Sequence, residues 1–112
     1  TYGPNYTADA VNAAAANLRA AKLNDRIVVD CSHANCGKDP RKQPVVWNDL
    51  VEQFVTGASP VIGAMVESNL VEGAQKFPRP IADLTYGQSI TDPCIGWDET
   101  ERVVGEAYDL LA

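Results

Sequence analysis

The sequence is short of several features that would each define a class of protein. Its 112 residues include three cysteines and one histidine, and an odd number of cysteines without a CxxC pair does not fit the disulfide framework of a small secreted domain. No apolar run approaches the ~20 residues that cross a membrane, and the N-terminus lacks the charged-then-apolar signal pattern. We therefore expect a cytoplasmic protein that does not enter a membrane.

Positive charge is also scarce. Nine Lys and Arg residues face 15 Asp and Glu residues, for a net charge of −6, and such a surface repels phosphate-rich polymers. We expect no nucleic-acid partner. The basic residues Lys38, Arg41 and Lys42 share one turn-rich loop, and two interpretations of it stay open: an ordinary solvated loop, or a site for a small phosphate.

Three amphipathic segments predict helices. Thr7 is suited to cap the first, over residues 8–22, and Pro44 to begin the second, which ends before Gly57. The third follows Gly96 and has acidic residues in its first turns, where the helix dipole favours negative charge. Each helix should bury one apolar stripe against a core.

Two short apolar runs lie between the helices and predict parallel strands. Residues 26–31 and 61–66 show continuous apolar stretches, the pattern of strands buried on both faces of a sheet. Residues 68–96 show no periodicity and predict one long loop, which is more often functional than idle. The alternation predicts an α/β protein built of right-handed βα units, either a doubly wound sheet or a (β/α)8 barrel.

Metal-ligand side chains follow both predicted strands, and another lies in the long loop. His33 comes soon after the first strand, Glu67 directly ends the second, and Asp92 precedes the third helix. The carboxyl ends of parallel strands meet at one edge of a sheet, where α/β proteins place their sites. A carboxylate that ends a buried strand must be paired, protonated or metal-bound, because burying it in the charged form without a partner would cost several kcal/mol.

Taken one at a time, these residues have ordinary interpretations. A lone histidine is more often a structural hydrogen-bonding group, and Asp92 before Pro93 is a common turn element. Glu67 favours a metal site over these ordinary interpretations, because each of the two strands would then place a ligand at the same edge of the sheet. One imidazole and two carboxylates suit a catalytic divalent cation, Mn²⁺, Fe²⁺, Co²⁺ or Zn²⁺, and the sequence does not select among these four. Cys94 is a weaker candidate for a further ligand.

Three longer segments surround the candidate ligands. They are Asp-Cys-Ser-His-Ala-Asn at 30–35, Gly-Ala-Met-Val-Glu-Ser-Asn-Leu-Val-Glu-Gly at 63–73, and Leu-Thr-Tyr-Gly-Gln-Ser-Ile-Thr-Asp-Pro-Cys-Ile-Gly-Trp at 84–97. In order and spacing they resemble the C-terminal motifs of the type I family of 3-deoxy-D-arabino-heptulosonate 7-phosphate (DAHP) synthases. Gly-Pro-Asn-Tyr at 3–6 is similar to a further family segment, so the resemblance extends from residue 1 to the final helix.

The resemblance implies a transferase that condenses phosphoenolpyruvate with erythrose 4-phosphate, the first step of the shikimate pathway to the aromatic amino acids. The family's divalent metal then falls on His33, Glu67 and Asp92, with His33 as a catalytic residue. The fourth family ligand, a cysteine, and the residues that hold phosphoenolpyruvate lie upstream of these motifs. Lys38 and Arg41 are candidate contacts to a substrate phosphate. Asn35 or a backbone carbonyl is the expected partner of the second ring nitrogen of His33.

The resemblance also implies a (β/α)8 TIM barrel, with residues 1–112 as the C-terminal fragment of its single catalytic domain. On that alignment the strands are the seventh and eighth of the barrel, and the helices the sixth to eighth. Because such a barrel typically needs ~250 residues, we expect the chain alone to be incomplete and inactive. The alternative is a non-catalytic half-barrel module that needs a partner chain or self-association. The related octulosonate 8-phosphate synthase is disfavoured by the segments at 32–35 and 92–97.

Overall fold

The computed structural model describes residues 3–57 and 59–112. It contains three helices, α1 (Ala8–Ala20), α2 (Gln43–Val55) and α3 (Trp97–Leu111), and four strands, β1 (Ile27–Asp30), β2 (Val61–Met65), β3 (Val71–Ala74) and β4 (Gln88–Ser89). Short 3-10 turns occupy Pro40–Lys42 and Ile81–Asp83. Within the described ranges, no helix is both long enough and apolar enough to cross a membrane.

The strands β1 and β2 form the parallel pair that the two apolar runs predict. Their register places Asp30 opposite Met65 at the carboxyl ends. The helix α1 begins where it is predicted to begin, since the Thr7 side chain accepts a hydrogen bond from the backbone N–H of Ala10 at 3.4 Å. Parallel strands joined through a helix are what a βα repeat produces, and the arrangement is consistent with part of a barrel.

The hydrophobic core lies on one face of the β1–β2 sheet, between the strands and the helices α1 and α2. Its buried members are Val11, Val29, Cys31, Val46, Leu50 and Val61. The prediction that both strands are buried on both faces is wrong for this chain, because Val28 is 62% exposed and Ile62 is 54% exposed. Val28 pairs with Gly63 and shares its face of the sheet, whereas Ile62 lines an open apolar groove together with residues of α2 and α3.

The segment predicted as one long loop contains a second small sheet. Strands β3 and β4 pair in parallel, and Gly73 exchanges two backbone hydrogen bonds with Cys94, at 2.9 and 3.1 Å. No periodicity reveals these strands, because β4 has only two residues and β3 has an exposed pattern. The second sheet brings the chain back to the carboxyl edge of β2, and this return positions Asp92.

Candidate metal centre

The side chains of His33, Glu67 and Asp92 converge at the carboxyl edge of the β1–β2 sheet. The Nε2 atom of His33 lies 3.5 Å from Oε1 of Glu67 and 3.4 Å from Oδ2 of Asp92. One ligand atom from each residue lies within 4.8 Å of the others. Two ligand atoms that each lie about 2.1 Å from a tetrahedral cation are about 3.4 Å apart, so the cluster has the size of a transition-metal site.

The backbone at His33 takes a conformation that non-glycine residues rarely adopt. Its φ angle is +50°, in the left-handed region. The turn that follows is closed by a hydrogen bond from Lys38 N–H to the His33 carbonyl at 2.8 Å, and by another from Asn35 N–H to the Ser32 carbonyl at 3.1 Å. This tight turn directly after β1 presents the imidazole at the edge of the sheet.

The second ring nitrogen of His33, Nδ1, has two partners, Asp30 and Ser32. The Oδ2 atom of Asp30 lies 2.8 Å from Nδ1, and the hydroxyl oxygen of Ser32 lies 2.6 Å from it. The Oδ1 atom of Asp30 accepts hydrogen bonds from the N–H and the hydroxyl of Ser32, both at 2.7 Å. Burial acts to raise the pKa of Asp30, but the hydrogen bonds from Ser32 and His33 outweigh it and lower the pKa. The charged carboxylate favours a proton on Nδ1, so the lone pair of Nε2 is directed at the ligand cluster.

The expected partner of this nitrogen, Asn35 or a backbone carbonyl, is therefore wrong. The side chain of Asn35 instead donates to the Asp30 carbonyl at 2.8 Å and accepts from the N–H of Asn5 at 2.7 Å. Asp30 is easily overlooked, because it is the last residue of a strand and is counted with the apolar run. Its spacing of three residues from His33 is the one local signal that points to it.

The charges of the cluster are those of a cation site. Burial raises the pKa of Glu67, and the nearby carboxylate of Asp92 adds to the effect. The hydrogen bond to Asp30 raises the pKa of His33, with further contributions from Asp92 and Glu67. Two carboxylates therefore approach one point, and the side chain of Glu67 is only 20% exposed. A divalent cation would offset their repulsion, so the donor set fits a metal.

A cleft opens onto the three ligands. Its other lining residues are Ser32, Cys36, Lys38, Pro40 and Pro93. Of the two candidate phosphate contacts, the structure brings Lys38 to this cleft but not Arg41. The guanidinium of Arg41 pairs with Asp39, with Nε 3.1 Å from Oδ1, and lines a separate recess together with Glu72 and Glu99.

None of the three cysteines belongs to the ligand cluster of the described residues. All are buried and free, and burial raises the pKa of Cys31 to about 12. Burial also raises the pKa of Cys94, whose Sγ atom lies 3.6 Å from the backbone carbonyl of Asp92. These thiols are protonated at neutral pH, which makes them poor metal ligands.

Comparisons with known proteins identify the family that this chain matches. Residues 1–105 match the model of the DAHP synthetase I family. The chain is 48% identical over 101 residues to the Trp-sensitive phospho-2-dehydro-3-deoxyheptonate aldolase of Escherichia coli, a match that covers 90% of this chain and 29% of that protein. It is 43% identical over 109 residues to the phospho-2-dehydro-3-deoxyheptonate aldolase of Haemophilus influenzae, covering 97% of this chain and 30% of that protein.

A solved structure agrees with these relatives. The phospho-2-dehydro-3-deoxyheptonate aldolase of Francisella tularensis superposes with a TM-score of 0.87 at 38% sequence identity. The match covers 96% of this chain and 31% of that one. The chain therefore spans less than a third of the length of the relatives it matches.

Proposed function

The chain belongs to the DAHP synthetase I family, and from this we infer that it supplies the metal-binding edge of a DAHP synthase. The substrates would be phosphoenolpyruvate and erythrose 4-phosphate, and the reaction would be the entry step of the shikimate pathway. The convergence of His33, Glu67 and Asp92 within 4.8 Å is the observation that carries the proposal. We place the protein in the cytoplasm, a reducing compartment that suits its three free cysteines.

We assign residues 1–112 to the C-terminal part of a single (β/α)8 catalytic domain. In this assignment β1 and β2 are the seventh and eighth barrel strands, and α1, α2 and α3 are the sixth to eighth helices. The exposed side chain of Val28, on the face of the sheet that it shares with Gly63, supports it, since a closed barrel fills its interior with side chains from all of its strands. Barrel enzymes place their active sites at the carboxyl edge of the strands, where His33 and Glu67 lie.

The reaction joins C3 of phosphoenolpyruvate to the aldehyde carbon of erythrose 4-phosphate, after which water adds at C2 and phosphate leaves. A bound divalent cation (Mn, Fe, Co or Zn) would supply Lewis acidity toward the aldehyde oxygen. His33 would offer Nε2 to that cation while Asp30 keeps the proton on Nδ1. Glu67 and Asp92 would offer carboxylate oxygens, and Lys38 would contact a substrate phosphate from the rim of the cleft.

The ligand assignment is tested by metal binding to the full-length protein that contains these residues. We expect His33→Ala and Glu67→Ala each to weaken Mn²⁺ binding by at least about 100-fold, because each removes one of few protein ligands. Isothermal titration calorimetry measures the Kd, and Asp25→Asn is the matched control, since Asp25 pairs with Arg19 at 2.7 Å and lies outside the ligand cluster. Ligand variants that bind Mn²⁺ as tightly as the control would overturn the assignment.

A further inference from the structure

The side chain of Gln43 is fully buried, with 0% exposure, although it is polar. A buried amide must find hydrogen-bond partners, and Gln43 finds both of them on one residue. Its Nε2 donates to the backbone carbonyl of Glu67 at 3.0 Å, and its Oε1 accepts from the backbone N–H of Glu67 at 2.8 Å. The first residue of α2 therefore makes two hydrogen bonds to the backbone of a candidate metal ligand.

The position of Glu67 explains why its backbone needs hydrogen-bond partners from a side chain. The pairing of β1 with β2 reaches Met65, whose carbonyl accepts from the N–H of Cys31 at 2.8 Å. Beyond that point the chain after β1 turns away into the loop of His33, so the backbone of Glu67 has no partner on β1. The side-chain amide of Gln43 supplies hydrogen bonds that a neighbouring strand would otherwise make. The Glu67 carbonyl also accepts a hydrogen bond from the N–H of Ile95 at 3.0 Å.

The same contact closes the loop between β1 and α2. This loop, residues 31–42, carries His33, one candidate ligand, near its start, and it is followed directly by Gln43, which is bonded to Glu67, another. Both of its ends are thus fixed at the cluster, and Lys38 lies between them. A shift of the Gln43 side chain would change the position of Glu67 relative to His33, now 3.5 Å apart at their ligand atoms.

We propose that Gln43 is a positioning residue of the metal centre: its buried amide holds the backbone of Glu67 so that the carboxylate meets His33 and Asp92. The inference rests on the proposed metal-binding function. A glutamine that served stability alone would affect the unfolding of the protein and leave the geometry of the bound metal unchanged.

The test replaces Gln43 by a residue of similar length that cannot hydrogen-bond. In the full-length protein, Gln43→Met is expected to raise the Kd for Mn²⁺ by about 10–100-fold, the usual effect of losing a group that orients a ligand. The visible absorption spectrum of the Co²⁺-loaded variant should change as well, because that spectrum reports ligand geometry. Gln53→Met is the matched control: Gln53 lies on the same helix and donates to the carbonyl of Tyr6 at 2.8 Å, so the Kd and spectrum should stay unchanged.

The outcomes separate this inference from the proposed function. A folded Gln43→Met variant with unchanged Kd and unchanged Co²⁺ spectrum would overturn the role of Gln43. A His33→Ala variant that binds Mn²⁺ as tightly as the unsubstituted protein would instead overturn the metal assignment itself.

A second variant covers the case in which Gln43→Met does not fold. Gln43→Asn keeps a buried amide but is shorter by one methylene, so it cannot reach both the N–H and the carbonyl of Glu67. Weaker Mn²⁺ binding by this variant would report lost positioning. Binding that is equal or tighter would count against the proposal.

Discussion

At the level of single residues, the carboxylate of Asp30 decides which nitrogen of His33 is free to bind. An amide at this position can still accept hydrogen bonds from Ser32, but its NH₂ group would face Nδ1. Nδ1 would then lose its charged acceptor and keep only the Ser32 hydroxyl, so the ring proton shifts toward Nε2, the atom that lies 3.4 to 3.5 Å from the two candidate carboxylate ligands. A protonated nitrogen has no lone pair to offer a metal.

We therefore predict that Asp30→Asn weakens Mn²⁺ binding by about 10–100-fold while leaving the protein folded. Calorimetry gives the Kd and circular dichroism the fold. The control is Asp25→Asn, whose carboxylate pairs with Arg19, and it should bind as the unsubstituted protein does. Equal affinities in the two variants would mean that Asp30 does not orient His33.

Lys38 and Arg41 provide a second matched pair, because they share a loop but only Lys38 lines the cleft. If Lys38 contacts a substrate phosphate, Lys38→Met should raise the KM of one of the two phosphorylated substrates by about tenfold or more, the loss of one charge-assisted hydrogen bond. Arg41→Met should leave both KM values nearly unchanged. Steady-state kinetics of phosphate release measures both, and a larger effect at Arg41 would contradict the assignment.

At the level of secondary-structure elements, the return of the chain from β3 to β4 requires a glycine. Gly87 has a φ angle of +78°, and an added Cβ atom would lie 2.7 Å from Cβ of Leu70. Gly105 in α3 differs on both counts, because it is helical and an added Cβ atom would meet nothing within 4 Å. The two glycines therefore respond to the same substitution in opposite directions.

We predict that Gly87→Ala destabilises the full-length protein by about 1–3 kcal/mol, the cost of a strained backbone with a steric clash. Gly105→Ala should stabilise it by about 0.5–1 kcal/mol, since alanine loses less conformational entropy in a helix. Urea denaturation measures both changes. If Gly87→Ala were neutral, the contact between the loop and Leu70 would be looser than the structure has it.

At the level of the whole molecule, the chain is more open than a monomeric domain of its size. Its radius of gyration is 16.2 Å, against about 13 Å for a compact domain of this length. Its accessible surface is 7587 Å², against about 6000 Å² for a folded monomer of this mass. The excess includes Val28 on the sheet and an apolar groove lined by α2, β2 and α3, to which Ile62 belongs.

We predict that the 112-residue chain alone is inactive and associates. It should release no phosphate from the two substrates, and light scattering after size exclusion should give a mass above the 12.0 kDa of the monomer. Mixing with the remaining residues of the barrel should restore turnover if the chain is part of a synthase, and should not if it is a non-catalytic half-barrel module. Turnover by the isolated chain would contradict the prediction, as would a well-folded monomer.

Local chemistry is enough to locate the main elements and the candidate ligands of this protein. Thr7 marks the start of α1, the apolar runs mark β1 and β2, and His33, Glu67 and Asp92 stand out because strong ligand types follow strands or lie in a long loop. Such signals act over a few residues, through capping, side-chain periodicity and the alternation of helices and strands. They need no knowledge of what packs against what.

Contacts between distant segments settle the rest. Gln43 meets Glu67 across 24 residues, and the short strands β3 and β4 exist only because their backbones pair with each other. The exposure of Val28 likewise depends on which elements cover the second face of the sheet. A hydrogen bond or a buried face requires two groups to meet in space, and no periodicity within one segment records where its partner will be.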